Sequence, residues 1–199
     1  MVTAVCEIFD IVPSDFGSAA EATWWPETPN DHQGGRAELA ILMRALVRLT
    51  RPEIVVETGV AQGVTTAVIL QGMHDNSSGF LYSIDLPALD IGSQYTGALV
   101  PGRLSERWEL IEGPSRIELP RLLARLPGID IFLHDADHTY SSQTEEYRTA
   151  WAHLRPGGLL VSDDVRTAAF VDFCTEHNVR PYLIPGQSAL DGLGLVCKP

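Results

Sequence analysis

Long apolar runs are missing from this chain of 199 residues. No stretch approaches the roughly 18 residues that a membrane span needs, so no membrane partner is expected. Basic residues are scarce. Lys and Arg number 14 against 26 Asp and Glu, leaving a formal charge of −12. A nucleic-acid partner requires clustered Lys and Arg, and this balance argues against one, although a small anionic substrate stays open. Cysteine is sparse as well. Cys6, Cys174 and Cys197 are odd in number, widely scattered and without metal-type spacing, so they read as reduced thiols of a cytoplasmic protein. The N-terminus lacks a basic segment followed by an apolar one, and no secretory signal is expected. Also absent is Gly-x-Gly-x-x-Gly, the turn that cradles a dinucleotide pyrophosphate.

In its place stands Ile54-Val55-Val56-Glu57-Thr58-Gly59-Val60-Ala61-Gln62-Gly63-Val64-Thr65-Thr66. A β-branched run ends in a carboxylate, two glycines follow at Gly-x-x-x-Gly spacing, and Gly63 and Thr65 open a helix. This is a strand, a tight turn and a helix. About 20 residues further on, Phe80-Leu81-Tyr82-Ser83-Ile84 ends in Asp85, an acid placed at a strand tip to hold ribose hydroxyls. The pattern implies an adenosine-containing cofactor. A carboxylate beside a pyrophosphate is repulsive, whereas beside a cationic amino-acid moiety it is attractive. Glu57 therefore favours S-adenosylmethionine (SAM), with its ammonium and sulfonium, over NAD.

The rest of the chain alternates. Residues 36–49 place Leu39, Leu42, Met43, Leu46 and Leu49 on one helical stripe, ended by Arg51-Pro52. Strands are expected near 53–58, 80–85, 107–112, 129–134, 158–162, 180–184 and 193–197. Helices are expected near 63–73, 114–126, 141–154 and 165–177. Ser142-x-x-Glu145 is a candidate capping box. The last two strands are joined by too few residues for a helical crossover, so they pair antiparallel. The expected class is α/β: a doubly wound, mainly parallel seven-stranded sheet with a C-terminal antiparallel hairpin. Residues 1–32, rich in proline and carrying Trp24 and Trp25, read as an N-terminal arm or cap on a domain of 33–199, and such an arm suits a homodimer. Residues 86–106, with Tyr95, read either as part of a substrate lid or as a solvent loop.

Acids crowd the ends of two later strands. Ile129-Asp130-Ile131-Phe132-Leu133-His134 runs into Asp135-Ala136-Asp137-His138, and Leu159-Leu160-Val161-Ser162 runs into Asp163-Asp164. Adjacent parallel strands would bring Asp135, Asp163 and Asp164 to one sheet edge, where they repel unless neutralised. A hard divalent cation such as magnesium answers that. The bland alternatives are a helix cap at Asp163-Asp164, solvated turn acids at Asp135 and Asp137, a capping role for His138 and a packed His134.

These motifs resemble those of class I SAM-dependent methyltransferases. More narrowly, they resemble the magnesium-dependent small-molecule O-methyltransferases of the catechol and caffeoyl-CoA type and the bacterial sugar and macrolide enzymes. The resemblance covers about residues 36–199 and implies the Rossmann-like methyltransferase fold. It implies that Glu57, Gly59, Gly63 and Thr65 flank the methionine part of SAM, that Asp85 holds the ribose, and that Gly113 and Ser115 lie near adenine. It implies that Asp135, Asp163 and Asp164 hold Mg2+ or another divalent cation, with Asp137 as an alternative ligand. Asp135 and His138 then carry the chemistry, with His138 where catechol-type enzymes place a lysine base. Pro114 departs from the acid usual after Gly113. The expected reaction moves a methyl group to a hydroxyl of a small molecule, a sugar or natural-product scaffold. The alternatives are metal-independent transfer to nitrogen or carboxylate, a non-catalytic SAM-binding protein, and a nicotinamide oxidoreductase.

Overall fold

The structure, a computed structural model, describes residues 37–86, 96–185 and 192–199. The N-terminal arm with Trp24 and Trp25, and Tyr95 in the candidate lid, lie outside the described residues. In chain order the elements are α1 (Ala37–Thr50), β1 (Ile54–Thr58), α2 (Val64–Asn76), β2 (Phe80–Asp85), a 3-10 helix (Gly102–Arg107), β3 (Trp108–Glu112), α3 (Ser115–Leu123), β4 (Ile129–His134), α4 (Tyr140–His153), β5 (Leu154–Ser162), α5 (Ala169–Glu176), β6 (Tyr182–Pro185) and β7 (Gly192–Cys197). One seven-stranded sheet runs β3-β2-β1-β4-β5-β7-β6. β7 is antiparallel to both β5 and β6, and the pairs β3-β2, β2-β1, β1-β4 and β4-β5 are parallel. The expected class and the closing hairpin are both present.

The strands lack hydrophobic alternation because both faces are covered. Val55, Ile131, Leu133, Leu159, Val161 and Leu195 pack on one side with Leu39, Leu42, Met43 and Leu46 of α1 and Ile69, Leu70 and Met73 of α2. Their chain neighbours Val56, Phe132, Leu160 and Val196 pack on the other with α3, α4 and α5, through Leu119, Leu122, Tyr147, Ala150, Phe170 and Phe173. The period-2 pleat sorts adjacent apolar residues into two cores. It sorts the polar residues at the strand ends in the same way. Glu57 faces α2, while Thr58 and His134 face α4.

Several boundaries depart from expectation: β5 begins at Leu154 rather than 158, α2 runs on to Asn76 and α3 ends at Leu123. Helix α4 begins at Tyr140, and its N-cap is Thr139, whose hydroxyl accepts the Ser142 N–H. The Ser142 capping box is thus corrected: Ser142 lies inside the first turn. Helix α5 starts at Ala169 rather than 165, because Thr167 Oγ1 accepts the Ala169 N–H at 3.1 Å and the preceding loop is tied elsewhere. Asp163 and Asp164 therefore do not cap α5.

The chain order reverses direction between β1 and β4. Such a switch point opens a crevice at the carboxyl ends of the strands, where ligands of doubly wound sheets bind.

Candidate active site

The turn after β1 lies at this crevice. Gly59 and Gly63 have φ of 87° and 89°, in the left-handed region that disfavours a side chain. Contact adds a second reason for glycine. A Cβ on Gly59 would lie 1.9 Å from the Asp135 carbonyl oxygen, and one on Gly63 would lie 2.9 Å from Gly97 Cα. The turn is wedged between the loop after β4 and the segment 96–100, whose Gly97 and Leu99 N–H groups donate to Ala61 and Gln62 carbonyls. The described part of the candidate lid is thus fastened to the glycine turn.

Asp85 lies at the tip of β2, and its Oδ2 accepts the N–H groups of Val60 and Ala61 at 3.0 and 2.8 Å. It holds the turn in shape. Glu57 is fully buried. Its Oε2 accepts from Thr66 at 2.9 Å and from Ser83 at 2.7 Å, and its Oε1 has no hydrogen-bond partner. Burial, strengthened by Asp85 and only partly offset by the two hydroxyls, pushes its carboxyl up to about 7. Thr65 is buried in the first turn of α2, and its hydroxyl has no partner. Glu57 Oε1 and Thr65 Oγ1, both without a partner, fit a ligand carrying a cationic donor, while the N-terminus of α2 beside them favours an anionic group on the same ligand. Gly113 follows β3, its N–H donating to the Asp85 carbonyl. Ser115 begins α3 and lies close enough to Glu146 to help stabilise that carboxylate.

On the other side of the switch point, Asp135, His138 and Asp163 each bring one ligand atom to within 4.8 Å of the others. Backbone bonds set this up: the Asp135 N–H donates to the Thr58 carbonyl and the Asp163 N–H to the His134 carbonyl, each at 2.8 Å. His138 Nε2 stands 3.9 Å from Asp135 Oδ1. Burial lowers the His138 pKa, and His134 and Arg166 lower it further against the opposing pull of Asp163 and Asp164. Its ring is held toward the neutral form that can accept a proton or a cation. The two carboxylates suit a hard divalent cation, and the imidazole beside them can accept a proton. Asp164 is not in this group. It has a φ of 51° and pairs through Oδ2 with Arg166. Asp137 turns back on Thr139, accepting its N–H and hydroxyl at 3.2 and 3.1 Å.

Two features escaped the sequence reading. One is Arg166, the cation on Asp164. The other is Glu146 of α4, whose Oε2 accepts from Thr58 Oγ1 at 2.6 Å and lies 2.8 Å from His134 Nδ1. Burial opposes its ionisation, but hydrogen bonds from His134, Ser115 and Thr58 hold its pKa below the usual carboxylate value. A signal for Glu146 existed. It falls on the stripe Gln143, Glu146, Tyr147, Ala150 and Trp151, the buried face of α4. The chain's single lysine, Lys198, donates to the Trp151 and Leu154 carbonyls at the far end of α4, so no lysine serves this cluster. A cavity of about 360 Å³ lies at the opposite sheet edge between Glu53, Asp130 and Arg155, away from these groups.

A glycine turn between strand and helix, an acid at the tip of β2 and a polar cluster across the switch point form the ligand-binding crevice of a doubly wound sheet. A family model described as a methyltransferase domain matches residues 56–165. Demethylmacrocin O-methyltransferase of Streptomyces fradiae is 35% identical over 78 residues, which is 39% of this chain and 18% of that protein's length. Among solved structures, an O-methyltransferase from Klebsiella pneumoniae superposes with a TM-score of 0.67 at 22% identity, over 85% of this chain and 83% of that one. The O-methyltransferase of tomaymycin synthesis from Streptomyces achromogenes, solved with SAM, gives 0.67 at 17% identity over 83% and 82%. A caffeoyl-CoA O-methyltransferase-like structure from Staphylococcus aureus gives 0.64 at 16% over 100% and 99%. The chain belongs to the methyltransferase domain family and has the class I methyltransferase fold.

Proposed function

We propose that the protein transfers a methyl group from SAM to a hydroxyl of a small molecule, a sugar or natural-product scaffold, at a site that also holds a divalent cation. The observation that carries this reading is the convergence of Asp135, His138 and Asp163 beside the glycine turn. The demethylmacrocin and tomaymycin relatives favour a natural-product acceptor. The acidic balance of the chain disfavours nucleic acid as substrate.

In this reading the turn Gly59–Gly63 and the helix behind it receive the cofactor's amino-acid end, with Glu57 and Thr65 beneath, Asp85 on the ribose side, and Gly113 and Ser115 on the adenine side. Asp135 and Asp163 hold the cation, which when bound lowers the acceptor hydroxyl's pKa and orients its oxygen. His138 Nε2 takes the hydroxyl proton. The acceptor oxygen forms a bond to the methyl carbon as the carbon–sulfur bond breaks, and S-adenosylhomocysteine (SAH) leaves.

The Asp164–Arg166 pair favours a second reading, in which the acids only orient substrate and no metal takes part. Calorimetric titration of metal-stripped protein with SAH, with and without Mg2+, followed by labelled-methyl transfer to a panel of hydroxyl compounds, tests both. Turnover abolished by EDTA and restored by Mg2+ supports the first reading, and EDTA-insensitive turnover supports the second. Failure to bind SAH sinks the assignment of the turn.

A further inference from the structure

Behind the acidic cluster lies a line of buried polar groups that the proposed chemistry does not use. Glu146 Oε2 receives the Thr58 hydroxyl proton at 2.6 Å and lies 2.8 Å from His134 Nδ1. A carboxylate oxygen can only accept, so the proton of the second contact sits on Nδ1. A neutral imidazole with its proton on Nδ1 has a lone pair and nothing else on Nε2. His134 is fully buried, and its Nε2 has no hydrogen-bond partner. The next ring is His138, perpendicular to His134 with the ring centres 5.6 Å apart. Its Nδ1 is also buried and without a partner.

Two unsatisfied nitrogens on neighbouring rings call for a common explanation, since such groups are rare and costly. While both rings are neutral they complement each other in one arrangement: His134 Nε2 accepts and His138 Nδ1 donates, through one buried water, since neither nitrogen has a hydrogen-bond partner in the protein. We propose that Glu146 is a positioning residue: through His134 it fixes the tautomer of His138, which keeps its proton on Nδ1 and turns an unprotonated Nε2 toward Asp135 and Asp163. That nitrogen stands 3.9 Å from Asp135 Oδ1, on the part of the ring that faces the cluster. What Nε2 meets there rests on the proposed function, but the tautomer does not.

A Glu146–His134 contact that merely staples α4 to β4 would leave the His138 ring indifferent to residue 146. Long-range 1H–15N correlation spectra of the full chain, taken where both rings are neutral, separate the two cases. The expected spectrum shows His134 and His138 both protonated at Nδ1. In Glu146→Leu the His134 proton moves to Nε2 and the His138 proton moves with it to Nε2. His138 found protonated at Nε2 in the unmodified protein overturns the inference, as does a Glu146→Leu protein in which His138 is unchanged. Should Glu146→Leu not fold, His134→Phe removes the same link, and the His138 tautomer is again expected to change. The expected tautomer pair in a protein that fails to bind SAH would support the relay while refuting the proposed function.

Discussion

Replacing Glu57 by Gln is expected to remove a pH dependence from the protein's stability. The Glu57 carboxyl is pushed from 4.5 to about 7 by complete burial. Between these values the folded chain holds a proton that the unfolded chain has released, so stability falls as pH rises through the window and levels off above about 7. A shift of about 2.5 units corresponds to about 3.4 kcal/mol when fully developed. By linkage about 0.8 kcal/mol of this is lost by about pH 5 and most of the rest by about pH 8, leaving a difference near 2.5 kcal/mol. Glutamine has the shape of the protonated side chain, and its carbonyl can still accept from Thr66 and Ser83. Its amino group replaces Oε1, which has no partner, so the cost of that buried donor, about 1–3 kcal/mol, does not change with pH. Urea unfolding of both cofactor-free proteins at the two pH values measures the effect, and other titrating groups cancel in the comparison. The variant should gain about 2.5 kcal/mol on the wild type from about pH 5 to pH 8. Parallel changes in the two proteins would refute the burial argument. The same carboxyl links stability to function: with the cofactor ammonium nearby, SAH binding near pH 6.5 releases a proton in the wild type and none in the variant. Calorimetry in buffers of different ionisation heat reads that directly.

Gly59→Ala joins a φ of 87° to a Cβ placed 1.9 Å from the Asp135 carbonyl oxygen, so the backbone has to move. A loss of more than about 3 kcal/mol, or folding without SAH binding, is expected, and a variant with normal SAH affinity would contradict the close approach. Arg166→Ala removes the cation from Asp164. Under the metal reading, Mg2+ titration should show several-fold tighter binding in Arg166→Ala and strongly weakened binding in Asp163→Asn, and equal affinities would remove Asp163 from the site. Lys198→Met deletes two hydrogen bonds to the carbonyls at the end of α4 and a contact with the Trp151 ring at 5.7 Å. A stability loss of about 1–3 kcal/mol by denaturant unfolding, with SAH affinity unaltered, is the expected result.

The amino-acid sequence by itself determined what local chemistry decides. A β-branched run followed by Glu57, Gly59 and Gly63 specifies a strand, a turn that tolerates positive φ and a helix, whatever surrounds them. Alternating strand and helix patterns specified the doubly wound class, and the short connection before β7 specified the hairpin. The acidic tips at Asp135 and Asp163 were legible because polar residues end apolar strands abruptly. The partners were not legible. Thr58 meets Glu146 across 88 residues of chain, and His134 meets it across 12. Nothing local distinguishes Glu146 from the adjacent Glu145 except the phase of the helix against the sheet. Asp164 looked equivalent to Asp163, yet a left-handed backbone at Asp164 turns it to Arg166 while Asp163 joins Asp135 and His138. Thr139 displaced Ser142 as the cap because the loop after β4 arrives in an extended conformation at that residue. Local propensity sets which residues form each element. Strand order, pleat phase and helix rotation set which side chains meet, and these depend on the burial of both sheet faces at once, so only the assembled tertiary structure decided them.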